Sequence, residues 1–356
     1  MLFIKIALCV MSTTEFGYSQ QSRCTDDFTY MVQSVKLNYS GYRDKTQGRE
    51  GELTQLTDSL RTAADVVKDF GACTEVLQRW LGFFRDRHVY LHMKRPPDIT
   101  STGTSPQQTS KEPSLILFDE ATALLRIPSF DLSYEQAMDN LLKENHPKLI
   151  STRTLIIDVR GNPGGGDPAF ADLIPLLWTN PIQVRGADFW ASDDNIEYFK
   201  NLLQEKSRPD AVKEEIHGLV AGMQASPGTF VSGSHDREIK YDTVYPFPQV
   251  VAILIDQDCA STTEEFLLQA RQSRKVTLFG SNTNGALDYA NLSRRELPSG
   301  QRALFIPTSR SRRLPDDSVD EHGITPDVKV PEGVQNRVAY VRRYLSENAV
   351  KGSTRQ

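Results

Sequence analysis

The sequence predicts an α/β fold in which a mostly parallel sheet carries helices on its faces. Two short apolar runs rich in β-branched residues, at 154–159 and 250–255, have the length and composition of buried strands. Each leads through a polar or glycine-rich turn into a stretch of helical periodicity, and repeated strand–turn–helix units place parallel strands side by side. Residues 24–93 instead show mainly helical spacing, which predicts a helical subdomain before the sheet.

Composition and charge exclude several classes of function. The chain has 356 residues, of which 38% are hydrophobic and 24% charged, enough for one large or two modest globular domains. A net charge of -5 gives no reason to expect nucleic acid or an anionic membrane surface as a partner. The sequence has no C-x-x-C, no H-E-x-x-H and no phosphate loop ending in Gly-Lys-Ser/Thr, so no metal or cofactor is expected.

Five segments are predicted along the chain. They are a signal peptide at 1–20, an N-terminal helical subdomain at 21–94, a Pro-, Ser- and Thr-rich linker at 95–113, an α/β core at 114–347 and a tail at 348–356. No other stretch could span a bilayer, so we expect an exported protein, periplasmic or secreted. In an oxidising compartment Cys24 and Cys73 could pair, whereas Cys259 is interpreted as a small buried residue.

The N-terminal subdomain is predicted to contain three helices and a strand. Asp26 and Asp27 suit the start of the first helix, which a loop at 38–48 follows. Apolar residues at helical spacing predict a second helix over 53–70, ended by Gly71. A third is expected to open at Thr74, and residues 89–93 alternate as a strand does.

The core is predicted to alternate strands and helices. Strands are expected at 115–120, 121–128, 154–159, 250–255, 276–279, 293–297 and 303–307, and helices at 134–145, 168–177, from 262 onward, and at 333–347. The insert at 186–245 is polar and irregular, with one or two helices around 193–222.

Ser261 occupies the turn between the strand at 250–255 and the next helix. Open α/β sheets place their chemistry at such carboxyl ends of strands, and the N–H groups that start the helix can hold a developing negative charge. The simpler explanation is that Ser261 only caps the helix, since serine is a favoured N-cap residue.

The glycine run at 161–166 follows the other buried strand. Its spacing, GNPGGG, is not the G-x-G-x-x-G of a dinucleotide site. Exposed backbone N–H groups of Gly164 or Gly165, paired with that of Thr262, could instead form an oxyanion hole, although a plain glycine turn is the alternative.

A nucleophilic serine requires a base, and a third group must orient that base. The histidines are at 88, 92, 146, 217, 235 and 322. His88, between helix and strand, and His322, in a late turn, are the candidates, because the histidines at 146, 217 and 235 lie in predicted helices or a polar loop. Asp320 and Glu321 supply acids in that late turn.

Several motifs in order resemble the tail-specific (carboxy-terminal processing) serine proteases. They are TLIIDVRGNPGGG at 154–166, ASTTEE at 260–265, Gly280, Thr283, Gly285, and the Gly323-Ile324-x-Pro326-Asp327 run. The resemblance covers about 115–335 and implies a crotonase-like, or ClpP-like, α/β core.

Two branches of that family differ in the catalytic base. One uses a lysine after the serine, but here Ala286 stands at that position. The tricorn-like branch uses Ser, His and Glu, with an auxiliary serine before the histidine; His88-Val89-Tyr90 matches, with Arg87 in place of that serine. No PDZ-like domain fits in the linker at 95–113.

The resemblance therefore implies a serine endopeptidase acting on peptides or proteins through an acyl-enzyme. Ser261 is the implied nucleophile, His88 the base and Glu321 the orienting acid, with Asp320 and His322 as alternatives. The oxyanion would be held by N–H groups of Gly164 or Gly165 and of Thr262, while Asp158 and Arg160 brace the glycine loop.

Two other functions compete with this interpretation. The family that this chain resembles also includes the interphotoreceptor retinoid-binding protein modules. The resemblance therefore implies that the fold can serve as a non-catalytic module for apolar ligands or peptides, and Arg87 permits that alternative here. An acyl-CoA hydratase-type enzyme shares the fold class, but predicted export and the lack of a basic CoA-binding patch argue against it. The sequence gives neither the cleavage preference nor the oligomeric state.

Overall fold

The computed structural model describes residues 24–94, 112–206 and 209–353, which contain a six-stranded sheet, a five-stranded sheet and a small sheet of β5 and β8. The helices are α1 (Cys24–Asn38), α2 (Tyr42–Thr46), α3 (Glu50–Val66), α4 (Phe70–Leu81), α5 (Glu135–Leu149), α6 (Pro168–Ala171), α7 (Ile174–Leu177), α8 (Asp193–Leu202), α9 (Asp210–Ala225), α10 (Thr262–Ala270) and α11 (Arg337–Ser353). The strands are β1 (Tyr90–Met93), β2 (Ser114–Leu117), β3 (Thr122–Arg126), β4 (Thr154–Asp158), β5 (Ile182–Val184), β6 (Ala187–Trp190), β7 (Phe230–Ser234), β8 (Arg237–Ile239), β9 (Val250–Ile255), β10 (Val276–Gly280), β11 (Tyr289–Glu296), β12 (Arg302–Ser311) and β13 (Val328–Lys329).

The six-stranded sheet has the order β13-β10-β9-β4-β3-β2 and is parallel except for the antiparallel pair β2 and β3. This confirms the predicted mostly parallel sheet and its paired first strands. Strands β4 and β9 are adjacent, with Asp158 opposite Leu254, so the turns that follow them leave the sheet side by side. Their apolar side chains are buried, as the β-branched runs predicted.

The five-stranded sheet has the order β1-β12-β6-β7, with β11 also paired to β12. The N-terminal helices pack on this sheet, since one apolar cluster joins Phe28, Met31 and Trp80 to Leu304 and Ile306. A buried salt bridge of 3.1 Å between Asp27 and Arg302 ties α1 to β12. The helical region therefore shares its core with strands from the far end of the chain.

A disulfide joins Cys24 to Cys73, as the sequence allowed. It connects the start of α1 to α4. Cys259 is free and fully buried, and its Sγ–H donates to the carbonyl of Val159 at 3.1 Å.

Several predicted boundaries were wrong. The second N-terminal helix ends at Val66 rather than Gly71, because Asp69 caps a new helix by accepting from the N–H of Ala72 at 2.8 Å. The predicted helix at 168–177 is two short helices, since Pro175 lacks the N–H that would continue α6 into α7. The loop at 38–48 contains α2.

The insert at 186–245 is more regular than predicted. It holds α8 and α9, as expected, but also β6 and β7, which extend the five-stranded sheet through β12. The predicted signal peptide at 1–20 lies outside the described residues, as do most of the linker at 95–113 and the end of the tail. No helix within the described ranges is both long and apolar enough to cross a bilayer.

Candidate active site

Ser261 lies between β9 and α10 in a backbone conformation that non-glycine residues rarely adopt, with φ 56° and ψ −123°. Such a conformation costs on the order of 1–3 kcal/mol and persists only where its surroundings hold it. The Ser261 N–H donates to the carbonyl of Ala286 at 3.0 Å and to Oε2 of Glu264 at 3.1 Å. An ordinary N-cap residue has an extended conformation instead, so helix capping alone does not account for this turn.

The glycine loop at 161–166 packs directly against the Ser261 turn. The Cα of Gly164, at φ 102°, comes so close that a Cβ there would lie 2.7 Å from the carbonyl oxygen of Ala260 and 3.0 Å from Cβ of Ser261. The carbonyl of Asn162 accepts from the N–H of Ala260 at 3.2 Å and from the hydroxyl of Thr263 at 3.1 Å. The two turns therefore meet, as predicted from their positions after neighbouring strands.

The backbone N–H groups of this region fall into two kinds. That of Gly164 donates to Oδ1 of Asn162 at 2.9 Å, which stabilises the loop itself. Those of Gly165 and Thr262 donate to no acceptor in the described part of the chain. Within the glycine loop and at 260–263, these are the N–H groups that remain without an acceptor.

Asp158 and Arg160 brace the base of the glycine loop. Nε and one terminal nitrogen of Arg160 donate to the two oxygens of Asp158, both at 2.7 Å. Since this fork holds both side chains together at the end of β4, the geometry favours the bracing role over a reactive one.

Glu264 joins the Ser261 turn to the segment that follows β10. Its carboxylate is fully buried and accepts four hydrogen bonds. The donors are the hydroxyl of Thr283 at 2.5 Å and the N–H groups of Ser261, Gly285 and Ala286 at 3.1, 2.7 and 2.9 Å. No donor is cationic, so the charge is stabilised by neutral groups that all belong to the site.

Asp320 binds the next two residues after Ala286 through their backbone N–H groups. Its Oδ1 accepts from the N–H of Leu287 at 2.8 Å and from that of Asp288 at 2.9 Å, and the residue is 3% exposed. Burial, followed by the charges of Asp86 and Asp288, raises the pKa of Asp320 to about 7. We call residues 285–289 the connecting segment, because two buried carboxylates fix its first four N–H groups.

The last residue of the connecting segment binds His88. Nδ1 of His88 lies 2.6 Å from the carbonyl oxygen of Tyr289. A carbonyl only accepts, so Nδ1 carries the proton and Nε2 is left as an acceptor. The N–H of His88 donates to Oδ1 of Asp86 at 2.8 Å, and the hydroxyl of Tyr39 donates to the other oxygen at 2.6 Å.

The connecting segment also sets how far apart Ser261 and His88 are. Ser261 bonds to the carbonyl of Ala286 and His88 to that of Tyr289, three residues later. Three residues span at most ~10 Å when extended. The structure thus brings the predicted nucleophile and base to one region, although they are 173 positions apart in the sequence (261 − 88).

The acidic turn is close to the same segment but does not contact the imidazole. The N–H of Glu321 donates to the carbonyl of Gly285 at 3.4 Å, and its carboxylate lies 3.4 Å from Nζ of Lys45. Neither Glu321 nor Asp320 is hydrogen-bonded to His88, whose Nδ1 is bound by Tyr289. His322, the alternative base, is exposed beside them.

Three groups of the candidate site were not identified from the sequence. Glu264 stands three residues after Ser261, which is the spacing of a capping box and could have indicated its contact with the serine N–H. Asn162 carried no comparable signal. The carbonyl of Tyr289 is a backbone group, so no residue type could have indicated it.

Comparison with known proteins gives the class of protein to which the chain belongs. The profile of peptidase family S41 matches residues 121–330, which is more than half of the chain. The chain belongs to this family and is a serine-type peptidase, as the resemblance to tail-specific proteases predicted. Among curated proteins, none matches the chain significantly.

Solved structures of low sequence identity share the fold. Mature CPAF has a TM-score of 0.58 at 11% identity, covering 87% of this chain and 92% of its own. A candidate peptidase from Parabacteroides merdae has a TM-score of 0.57 at 15% identity, with coverages of 89% and 93%. A lipoprotein from Streptococcus agalactiae has a TM-score of 0.52 at 14% identity, with coverages of 92% and 99%.

Proposed function

We propose that the chain is an exported serine endopeptidase in which Ser261 attacks the scissile carbonyl and His88 accepts its proton. One observation carries the proposal: Ser261 is held in a strained conformation against the glycine loop, with two unbonded backbone N–H groups nearby. Strain of this kind at a strand-to-helix turn is characteristic of an exposed nucleophile.

The proton transfers follow from the tautomer of His88. Its Nε2 takes the proton of Ser261 Oγ as the new C–O bond forms, and the carbonyl π electrons move onto the oxygen. The N–H groups of Gly165 and Thr262 bind that oxyanion, whereas Gly164 supplies the close approach instead of a donor. The imidazolium then protonates the leaving amine, and water repeats the sequence to release the acid.

The acid that stabilises the imidazolium is Glu321 in this proposal, with Asp320 as the alternative. Glu321 follows the pattern of the tricorn-like branch and lies next to Gly285. Asp320 is closer to the connecting segment, which binds both partners of the reaction. In either case Nδ1 of His88 is bound by the carbonyl of Tyr289, and the acid acts on the imidazolium through its negative charge.

The proposal also assigns the type of fold and the division of the chain into a core and a subdomain. The sheet with β4 and β9 at its centre is the crotonase-like, or ClpP-like, core at 114–347, and the subdomain at 21–94 brings His88 to it. The shared core of the N-terminal helices and β12 supports one working unit rather than two independent domains.

Export to the periplasm or the cell exterior completes the proposal. The disulfide between Cys24 and Cys73 supports an oxidising compartment, because such bonds are rare in reducing cytosol. A lipoprotein among the structural neighbours supports the same location. Cleavage of the predicted signal peptide near residues 19–21 is expected to place the mature amino end just before Cys24.

A fluorophosphonate probe tests the proposed nucleophile. The purified protein is treated with the probe, digested, and mapped by mass spectrometry, with Ser261→Ala as the control. We expect labelling at Ser261 and loss of peptide hydrolysis in the variant. Labelling at another serine, or hydrolysis that survives Ser261→Ala, would contradict the assignment.

A further inference from the structure

A cleft of about 440 Å³ lies between the end of α4 and the residues around β1. Its wall includes Gln78, Leu81, Arg85, Arg87, Tyr90 and Glu321. We call it the arginine cleft. Arg87 immediately precedes His88, and Glu321 is bound through its backbone to Gly285, so the cleft adjoins the proposed active site.

The formal charges of the cleft wall balance, two arginines against Asp86 and Glu321, but both acids have other partners. Arg85 and Arg87 are both exposed, and neither forms a salt bridge within the described ranges. The acid that faces them, Glu321, already has Lys45 at 3.4 Å. The other acid of the wall, Asp86, is buried and its oxygens accept from Tyr39 and His88. Two guanidinium groups are therefore available to an external anion.

The adjoining strand offers backbone groups as well. Strand β1 pairs with β12 along one edge, and in the described part of the chain its other edge has no partner strand. A free edge of this kind can bind an extended peptide by adding it as a further strand. Leu81, Val89 and Leu91 line the same cleft and add an apolar floor.

We propose that the arginine cleft binds carboxylate groups of an extended peptide substrate, so that the enzyme prefers acidic substrates. This inference rests on the proposed peptidase function, because it specifies the substrate of that site. It also gives Arg87 a role: where the tricorn-like branch has an auxiliary serine, this chain has a residue suited to bidentate carboxylate binding. The carboxylate could come from acidic side chains or from the carboxyl terminus.

Peptide binding to Ser261→Ala protein tests the inference without turnover. The probe is a short fluorescent peptide of alternating Val and Glu with an amidated carboxyl end, compared by anisotropy with its Gln counterpart. A third probe is the Gln peptide with a free carboxyl end. We expect an acidic probe to bind about tenfold more tightly than the amidated neutral one. Replacing Arg85 and Arg87 by Gln should abolish that preference.

Arg79→Gln is the matched control, since Arg79 is exposed on α4 but does not line the cleft. It should keep the preference. Tighter binding of the Val–Glu probe identifies side-chain carboxylates, and tighter binding of the free-ended probe identifies the terminus. Equal binding of all three probes, or an equal loss in the Arg79 variant, would overturn the inference. Hydrolysis by the Ser261 form is measured separately, so failure of the peptidase proposal remains distinguishable.

Discussion

Nδ1 of His88 lies 2.6 Å from the carbonyl oxygen of Tyr289, and this contact decides which tautomer the imidazole holds. Because the carbonyl can only accept, the proton is on Nδ1 and the lone pair of Nε2 is free. The segment that binds this imidazole, the proposed base, also accepts from the Ser261 N–H through Ala286. Ala286 stands where a lysine would serve in the other branch of the family, so in the proposed mechanism the base is the histidine that this segment binds.

Replacing His88 should remove catalysis while replacing His322 should not. Without the base, the Ser261 hydroxyl keeps its proton, and we expect His88→Ala to lower kcat by at least about 10³-fold. His322 is exposed, and among the described residues no hydrogen bond joins its imidazole to the connecting segment, so His322→Ala should stay within about threefold of wild type. Steady-state peptide hydrolysis measures both. The reverse result would move the base to the late turn.

Gly164 and Gly161 form a matched pair for testing the close approach to Ser261. Both have positive φ, at 102° and 74°, so alanine strains the backbone at each. Only at Gly164 would the new Cβ collide with the Ser261 turn, because nothing lies within 4 Å at Gly161. We expect Gly164→Ala to lower the rate of fluorophosphonate labelling by about 10²-fold or more.

Gly161→Ala should label at nearly the wild-type rate, although its positive φ also makes alanine costly to stability. Thermal unfolding of both variants separates strain from misplacement of the nucleophile. Equal labelling rates in the two variants would show that the contact between Gly164 and Ser261 is unimportant.

Much of the fold was predictable because its strongest signals are local. The run that forms β9 is apolar throughout and β4 is apolar at its three central positions, as is typical of strands buried on both faces. The position of the Ser261 turn follows from β9. Strands β6 and β7 were missed because their pairing through β12 depends on residues far away in sequence, and their own residues are half polar.

The candidate site also combines features that local sequence predicts with features that depend on distant contacts. Ser261 and the glycine loop follow from motif and position, whereas the link from His88 to Tyr289 joins a side chain to a backbone group 201 residues away. Only the packing of the N-terminal helices on β11 and β12 creates that contact. The capping-box spacing of Glu264 was visible, but its bonds to Gly285 and Ala286 depend on where β10 ends.

Glu264 should be intolerant of an isosteric replacement. In the wild type both carboxylate oxygens accept hydrogen bonds, and Oε2 accepts from the N–H groups of Ser261 and Ala286. Glutamine replaces one oxygen by an NH₂ group, which cannot accept, so some of these donors lose their partner. We expect Glu264→Gln to lower the free energy of unfolding by about 2–4 kcal/mol and to slow labelling of Ser261. Urea unfolding and probe kinetics measure the two effects. Glu332→Gln, at an exposed position, should change neither.

Substituting Glu321 and Asp320 by their amides should show which of the two acids stabilises the imidazolium. Loss of the acid that stabilises the imidazolium should lower kcat by about 10²-fold or more, since the base then carries an uncompensated charge in the transition state. We expect Glu321→Gln to show this loss and Asp320→Asn to show less. Peptide hydrolysis at pH 8, above the pKa of about 7 of Asp320, measures it. The opposite order would assign the role to Asp320.

Asp320 should make the stability of the protein fall as pH rises. Burial and the neighbouring charges of Asp86 and Asp288 raise its folded-state pKa to about 7, above its value of about 4 in the unfolded chain. Between these values the folded state binds the proton more strongly, so its stability is full below about pH 4 and declines as pH rises to about 7. The loss attributable to this group is at most about 4 kcal/mol.

Asp320→Asn removes that titration while keeping an oxygen for the N–H groups of Leu287 and Asp288. Compared with wild type, the variant should therefore gain stability between pH 5 and pH 8 in urea unfolding. Asp316→Asn, at an exposed site in the same loop, should follow the wild-type pH dependence, because it leaves the buried Asp320 carboxyl unchanged. If the Asp320 variant instead lost stability relative to wild type as pH rises, the ionised carboxylate would be the form that the fold prefers.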